Sequence, residues 1–392
     1  MQQPRAEGLA LYIHWPFCLK KCPYCDFNSH VRDVLPQQRF ARALRAELAF
    51  EAARLGRRRL ASIFFGGGTP SLMAPETVAA LIGDATRLFE PLDDLEITLE
   101  ANPTSIEIER LRAFRQAGVN RVSVGVQSLE DEALAMLGRE HSGAQAIRAL
   151  EAARQTFPRF SFDLIYARPG QSVASWRDEL DRALALAADH LSLYQLTIEP
   201  GTQFEALHRQ GRIVLPDDRL GAALYRETEA VAAGHGLRDY EVSNYARPGS
   251  ESRHNLAYWR YADYAGIGPG AHGRLTLATA EGGDAITATR RHRVPEIWAD
   301  RVERAGHGST EEIALSAPEP AREMLLMGLR LSEGIESARF LARTGTALRD
   351  ALEPDILEAA IEAGYLVWHG GCLRATGEGR LRLEALLGAL VK

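Results

Sequence analysis

The chain has 392 residues, with 46 lysines and arginines against 52 acidic residues, and its formal charge of -6 argues against a sequence-independent grip on nucleic-acid phosphates. Its hydrophobic content of 46% and aromatic content of 7% are ordinary for a globular protein, which excludes a disordered or fibrous chain. The length calls for one large core and a smaller domain.

No stretch reaches the roughly 18 uninterrupted apolar residues of a membrane span. The first residues also lack a signal-peptide core, so membrane contact is expected to be peripheral at most. Four cysteines, three of them clustered, make no disulfide framework and fit a reducing, cytoplasmic setting.

Residues 9–15 are a short apolar run ending at Pro16, which reads as a buried strand that delivers a loop carrying Cys18, Cys22 and Cys25. Their spacing, C-x3-C-x2-C, lets three thiolates face one point, and so soft a donor set suits an iron–sulfur cluster or zinc. Cys372 has no ligand pattern around it, so three protein thiolates and an open position are expected. Structural zinc is normally closed by four ligands. A zinc loop here would need His14 or His30.

A helix opens at Pro36, with Phe40, Leu44 and Leu48 recurring every four residues, and a strand at 60–65 runs into Gly66, Gly67, Gly68, Thr69 and Pro70. The alternation continues with helix 75–89, strand 96–100, helix 106–117, strand 121–127, helices 131–137 and 144–156, strand 160–166, helix 176–188 and strand 191–198. Six such units without tight hairpin signals require an α/β fold with a parallel sheet and crossover helices. Right-handed crossovers curl that sheet toward a barrel, with a doubly wound open sheet as the alternative.

Polar residues gather where the strands end. Glu100, Gln127 and Asp163 would share one rim of a barrel, the usual place for active sites, and Arg139 is expected to neutralise a carboxylate there. The three glycines are expected to turn backbone N–H groups toward an anionic ligand, or else to make a tight turn.

Beyond residue 200 the pattern changes to a helix at 218–233 and irregular aromatic sequence over 240–264. There His254, Asn255, Tyr258 and Trp259 combine a candidate iron ligand with aromatic surface, as a flat macrocycle would use. A lone histidine among aromatics, such as His254, is more often an ordinary core or surface residue, and His272 is a competing ligand. Segment 281–308 reads as a loose joint. Helices at 320–331 and 355–363, strands at 365–368 and 372–375 and a closing helix at 378–391 suggest a winged-helix-like α+β unit for packing, partner binding or DNA. The expected division is 1–240, 241–310 and 311–392.

Together these pieces resemble one family, the radical S-adenosylmethionine proteins related to oxygen-independent coproporphyrinogen oxidase. The resemblance covers nearly the whole chain: the cysteine loop with Tyr12 before it and Tyr24 inside it, G-G-G-T-P at 66–70, G-V-Q-S at 125–128, F-D-L-I-Y at 162–166, L-T-I-E-P-G-T at 196–202, H-N-x-x-Y-W at 254–259 and M-G-L-R-L-S-E-G at 327–334. It implies a partial (β/α)6 TIM-like barrel and a 4Fe-4S cluster on Cys18, Cys22 and Cys25. It also implies S-adenosylmethionine at the open iron, held by Tyr12, Tyr24, Gly67, Gly68, Thr69, Glu100, Gln127, Arg139 and Asp163.

Within the family the chain is most similar to the haem-chaperone branch. The oxidases have a further cysteine where Phe27 stands, and a longer segment ahead of the first ligand than the 17 residues before Cys18. H-N-x-x-Y-W is associated with haem binding in the chaperones. The resemblance thus implies haem as a ligand, His254 as its candidate ligand residue and a haem-accepting protein as partner, with a homodimer left open. Oxidative decarboxylation of coproporphyrinogen III is the alternative. One departure is Ala167 and Arg168 ahead of Pro169, where the family usually has glycine and an apolar residue.

Overall fold

In the computed structural model, which describes residues 8–279 and 282–392, the predicted alternation becomes six adjacent parallel strands. They are β1 (Leu9–Trp15), β2 (Arg59–Gly67), β3 (Glu90–Ala101), β4 (Arg121–Gln127), β5 (Arg159–Tyr166) and β6 (His190–Gln195). Each pairs in parallel with the next in chain order. This unbroken order excludes the doubly wound alternative, in which the strand order reverses at a switch point. The crossovers include Gln37–Leu55, Pro75–Leu88, Ser105–Gln116, Gly143–Thr156 and Val173–Leu186.

The stripe on the first helix is fully used. Phe40, Leu44 and Leu48 are buried, and the Phe40 ring meets Trp15, Phe17 and Trp298 at centroid distances of 6.0, 4.9 and 5.5 Å. Each such burial contributes about 1.5–3 kcal/mol.

β3 is longer than the expected 96–100 because its first residues pair with Arg59 and Leu60 of β2. β6 stops at Gln195, short of the expected 198.

The sheet then grows past both ends of the barrel. β7 (Arg238–Glu241), β8 (Asn244–Ala246), β9 (Tyr264–Ile267), β10 (His272–Ala278), β11 (Asp284–Arg291) and β12 (Ser309–Ala314) complete twelve strands in the order β12-β11-β10-β9-β1-β2-β3-β4-β5-β6-β8-β7. β9 runs parallel to β1, and the strands beyond it are antiparallel. With β12 and β7 at its edges the barrel stays open.

Segment 281–308, expected as a loose joint, is instead ordered structure from residue 282 on. Strand β11 leads into helix Pro295–Ala305, while residues 280–281 lie outside the described residues. One of its arginines and its tryptophan are internal. Arg291 is 1% exposed and ion-pairs with Glu47 and Glu51, and the Trp298 indole donates to Glu47 at 3.0 Å. The 240–264 stretch likewise holds a helix, Arg253–Trp259.

The C-terminal part packs helices Pro318–Gly328, Ser337–Thr344 and Pro354–Glu362 against a three-stranded antiparallel sheet of Ile335–Glu336, Cys372–Ala375 and Leu366–His369. This is the winged-helix order of elements. It has its own core, including Leu325, Phe340, Leu352 and Leu373. The expected closing helix is two, Gly377–Arg380 and Leu383–Leu390, because the backbone at Arg382 leaves the helical region (φ -121°, ψ 17°). Among the described residues no helix is long and apolar enough to cross a membrane.

Candidate functional site

β1 ends at Trp15, and a short parallel pair, Phe17–Cys18 with His30–Val31, brings the two ends of the cysteine loop side by side. Each thiol has a polar neighbour. Thr69 Oγ1 donates to Cys18 Sγ at 3.4 Å, Arg139 Nη1 donates to Cys22 Sγ at 3.3 Å, and Ser29 Oγ lies 3.9 Å from Cys25 Sγ. Burial pushes the Cys18 thiol up to about 11 and also raises Cys25, with the neighbouring thiols adding to both shifts. Metal-free, these two are therefore thiols, and metal binding must release their protons.

The loop is anchored by His14 and Asn28. Burial lowers His14 to about 4, so its ring is neutral. Its Nε2–H donates to the Asn28 carbonyl at 2.9 Å, and its Nδ1 accepts from the Tyr12 hydroxyl at 3.1 Å. Both nitrogens being engaged, His14 is not free to complete a zinc loop. His30 is engaged as well, with Nε2 3.3 Å from Asn28 Oδ1. Among the described residues no three His, Cys, Asp or Glu side chains are placed to hold a single metal ion. Asn28 Nδ2 donates to the carbonyls of Pro269 and Arg293 at 2.9 and 3.0 Å, tying the loop to the segments that follow β9 and β11.

The glycines at the end of β2 pack against this loop. A Cβ at Gly67 (φ 116°) would fall 2.6 Å from the His14 ring, and one at Gly68 would fall 2.7 Å from the Phe17 carbonyl oxygen. The expectation that their N–H groups face an anionic ligand is not met. Gly67 N donates to Glu100 Oε2 at 3.3 Å, Gly68 N to the Trp15 carbonyl at 2.7 Å and Thr69 N to the Phe17 carbonyl at 2.9 Å. The backbone donors hold the loop against the barrel.

Desolvation inside the barrel, with the Asp163 charge second, raises Glu100 to about 8. Asp163 accepts from Ser123 Oγ at 3.4 Å and is raised by burial to about 6. Gln127 ends β4 in the left-handed region (φ 70°), uncommon for a side-chain-bearing residue, and its amide folds back beside Arg139 and Asn102. Against the effect of burial, the charge of Arg139 acts to lower the Asp163 carboxyl. The hydrogen bonds of Arg139 go to Cys22 Sγ, Asn102 Oδ1 (2.5 Å) and the Gly125 carbonyl (2.8 Å). Tyr24 joins a small apolar cluster with Leu137, Ile165, Leu196 and Phe204.

The family departure at Ala167 has a visible consequence. Ala167 takes the left-handed conformation (φ 56°) that glycine adopts freely, and Arg168 is buried in an ion pair with Glu179.

At the opposite end of the barrel, helix Arg253–Trp259 crosses the interior, capped by Ser252. The Glu96 side chain, 2% exposed, receives the backbone N–H groups of Arg253 (3.0 Å) and His254 (3.3 Å), the Ser252 hydroxyl (3.3 Å) and Arg159 (2.8 Å). His254 is 7% exposed. It stacks on Phe64 with 4.7 Å between centroids, shares a 3.2 Å hydrogen bond with Ser62 and is lowered by burial to about 3, hence neutral. Asn255 donates to the Tyr240 hydroxyl at 3.2 Å, Tyr258 stacks near Tyr264, and Arg330 covers the Trp259 ring.

A cavity of about 460 Å³ joins the two ends. Tyr12, Gly67 and Glu100 line it together with His14, His254, Tyr258 and His272. Both candidate haem-ligating histidines thus face the space that also contains the rim. Tyr24, Gly68, Thr69, Gln127, Arg139, Asp163 and the three cysteines do not line it. Phe27, where the oxidases have a cysteine, is 61% exposed and lines the cavity. The sequence reading missed Asn28, Glu96 and Asn102. A polar side chain inside an apolar strand (Glu96), and an asparagine directly after the metal loop (Asn28), were the available signals.

A Radical SAM superfamily model matches residues 12–183, and a HemN C-terminal domain model matches residues 315–382. The mitochondrial radical S-adenosyl methionine domain-containing protein 1 of Bos taurus is 41% identical, covering 99% of this chain and 88% of that protein. The heme chaperone HemW of Escherichia coli is 38% identical over 97% of each chain, and that of Haemophilus influenzae 36% identical over 98% of each. Among solved structures, the radical SAM enzyme coproporphyrinogen III oxidase (HemN) of Escherichia coli shares the fold, with a TM-score of 0.77 at 24% identity over 97% of this chain and 90% of that chain. The chain therefore belongs to the radical SAM superfamily, in the family of the HemW heme chaperones and the mitochondrial radical S-adenosyl methionine domain-containing protein 1.

Proposed function

We propose that the protein is a haem chaperone that carries a 4Fe-4S cluster on Cys18, Cys22 and Cys25, takes S-adenosylmethionine at the cluster's open iron and hands haem to an acceptor protein. The observation that carries this reading is the shared cavity, in which Gly67 and Glu100 of the rim face His254 and Tyr258 of the H-N-x-x-Y-W segment. The relatives named heme chaperones support it.

The donor set fits the cluster. Three cysteine thiols on one loop are the soft donor set of a cube whose corners are separate irons, and the two histidines that could have closed a zinc site are engaged elsewhere. When bound, such a cluster supplies an iron with a free coordination position and an electron at low potential.

The chain's own residues prepare the place. Thr69 and Arg139 donate to the sulfurs and stabilise thiolates. Glu100, at about 8, keeps its proton near neutrality and can donate a hydrogen bond where an ionised carboxylate would repel an anion. Asp163 offers acceptors to ribose hydroxyls, and Tyr12 stays a phenol because burial raises it. His254 is the proposed haem ligand, with His272 in the same cavity as its competitor. Thiols that must stay reduced to hold a cluster suit a reducing compartment such as the cytoplasm.

Titrating haem into anaerobically prepared, cluster-replete protein tests this. Saturable binding with a Soret band is expected, weakened in His254→Ala. A parent protein that binds no haem overturns the reading. The oxidase reading makes a different demand: incubation with coproporphyrinogen III, S-adenosylmethionine and reductant must yield protoporphyrinogen.

A further inference from the structure

We infer that Arg290 and Arg293 form a carboxylate-binding pair at the cavity, and that they hold the propionates of the haem taken in there. The inference rests on the haem reading above.

Adjacent residues on a strand point to opposite faces, and β11 uses this to separate two arginines. Arg291 faces inward, 1% exposed, and is taken up by Glu47 and Glu51. Arg290 faces the other way, opposite His272 on β10 and Glu311 on β12, and lines the cavity. Arg293 follows the strand end. Its carbonyl is held by Asn28, so its position is fixed to the cysteine loop, and it lines the same cavity.

Both arginines also border an adjoining hollow of about 410 Å³ with Thr310 and Glu311. Nearby guanidinium groups are committed: Arg274 to Glu323 at 2.6 Å, Arg32 to Glu296 at 2.8 Å and Arg343 to Asp263 at 2.7 Å. Among the described residues, no ion pair joins Arg290 or Arg293 to a carboxylate. Even counting Glu311, the mouth holds two guanidinium groups against one carboxylate.

Such a place selects for chemistry. The planar fork of arginine matches a carboxylate with two parallel hydrogen bonds, which a lysine does not reproduce. Further along the lining, Phe27, Tyr258 and Tyr264 offer aromatic faces to a flat ring. A ligand that is flat, largely apolar and acidic along one edge satisfies both parts of the wall, and haem has that form.

The experiment compares haem with haem dimethyl ester, which keeps the iron and ring but lacks the acids. Both are titrated into cluster-replete parent protein and into Arg290→Gln/Arg293→Gln, with iron and sulfide content and circular dichroism confirming that the variant is loaded and folded. The parent is expected to bind haem at least tenfold more tightly than the ester, a preference that shrinks as salt is added. The variant is expected to bind haem no better than the ester. Equal binding of the two compounds by the parent, or undiminished haem binding by the folded variant, overturns the inference and leaves the haem reading standing. A parent that binds neither compound overturns both. Should the double variant misfold, Arg293→Gln alone, outside the strand, must still reduce the preference severalfold.

Discussion

At the N-terminal end of the barrel, Glu96 gathers two backbone N–H groups, a serine hydroxyl and Arg159, and Ser62 holds His254, so the helix crossing there is fastened on both flanks. At the C-terminal end, donors from Thr69 and Arg139 converge on sulfur atoms, Glu100 and Asp163 are held with raised pKa values, and Gln127 and Ala167 adopt left-handed backbone. At the first end Glu96, Arg159, Ser62 and His254 find their partners in one another and in the helix backbone. The other concentrates features that disfavour the isolated fold, and such features gather where a ligand repays them. The contrast separates what stabilises this molecule from what makes it bind.

The largest effect expected is on the metal. Cys22→Ser should leave the fold intact by circular dichroism while iron and sulfide after anaerobic reconstitution fall to background. Near-parental cluster content in that variant would break the assignment of the open end.

Glu96→Ala should do the converse, lowering stability by about 2–4 kcal/mol in urea unfolding, because it strips the side-chain acceptor from two helix N–H groups and one of its partners from Arg159. The fraction that remains folded should load its cluster normally. If loading falls in step with stability, the two ends are not independent.

A smaller effect separates the ends by pH. The Glu100 carboxyl is held at about 8 in the folded protein against its ordinary 4.5. Between those values the native state keeps a proton that the unfolded chain has lost, so stability falls as pH rises through this window. Asp163 contributes with the same sign only up to about 6, and His254 with the opposite sign only between about 3 and 6.5. From pH 6.5 to 8, metal-free protein should therefore lose about 1.4 kcal/mol per pH unit through Glu100. Glu100→Gln should flatten that slope, measured by denaturant unfolding at each pH. An unchanged slope removes the raised carboxyl from the account.

Last, Ala167→Gly should raise stability by about 0.5–1 kcal/mol by relieving left-handed backbone at the rim. A loss there would mean that the alanine conformation is unstrained.

Much of the barrel was legible because buried parallel strands are apolar runs closed by glycine, proline or polar residues. β1 and β4 have the bounds that their residues suggest. The antiparallel strands from β9 to β12 were not legible. Arg291, Glu47 and Glu51 look like solvated charges until the fold brings residues some 240 positions apart into one buried cluster. For the site, the spacing of the cysteines pointed to sulfur chemistry, and the polar strand ends to the rim. The spent N–H groups of Gly67, Gly68 and Thr69 were hidden, since only the fold shows that the cysteine loop is their partner. The sulfur-directed role of Arg139 was hidden for the same reason.

The central claim is that three thiolates hold a cluster with one iron left open for S-adenosylmethionine. Anaerobically reconstituted protein, assayed for metal and sulfide and then reduced for electron paramagnetic resonance with and without S-adenosylmethionine, tests it most directly. The account predicts iron and sulfide in the proportion of a 4Fe-4S cluster and a spectrum that changes when S-adenosylmethionine is added. Zinc without sulfide, or a cluster spectrum indifferent to S-adenosylmethionine, would contradict it.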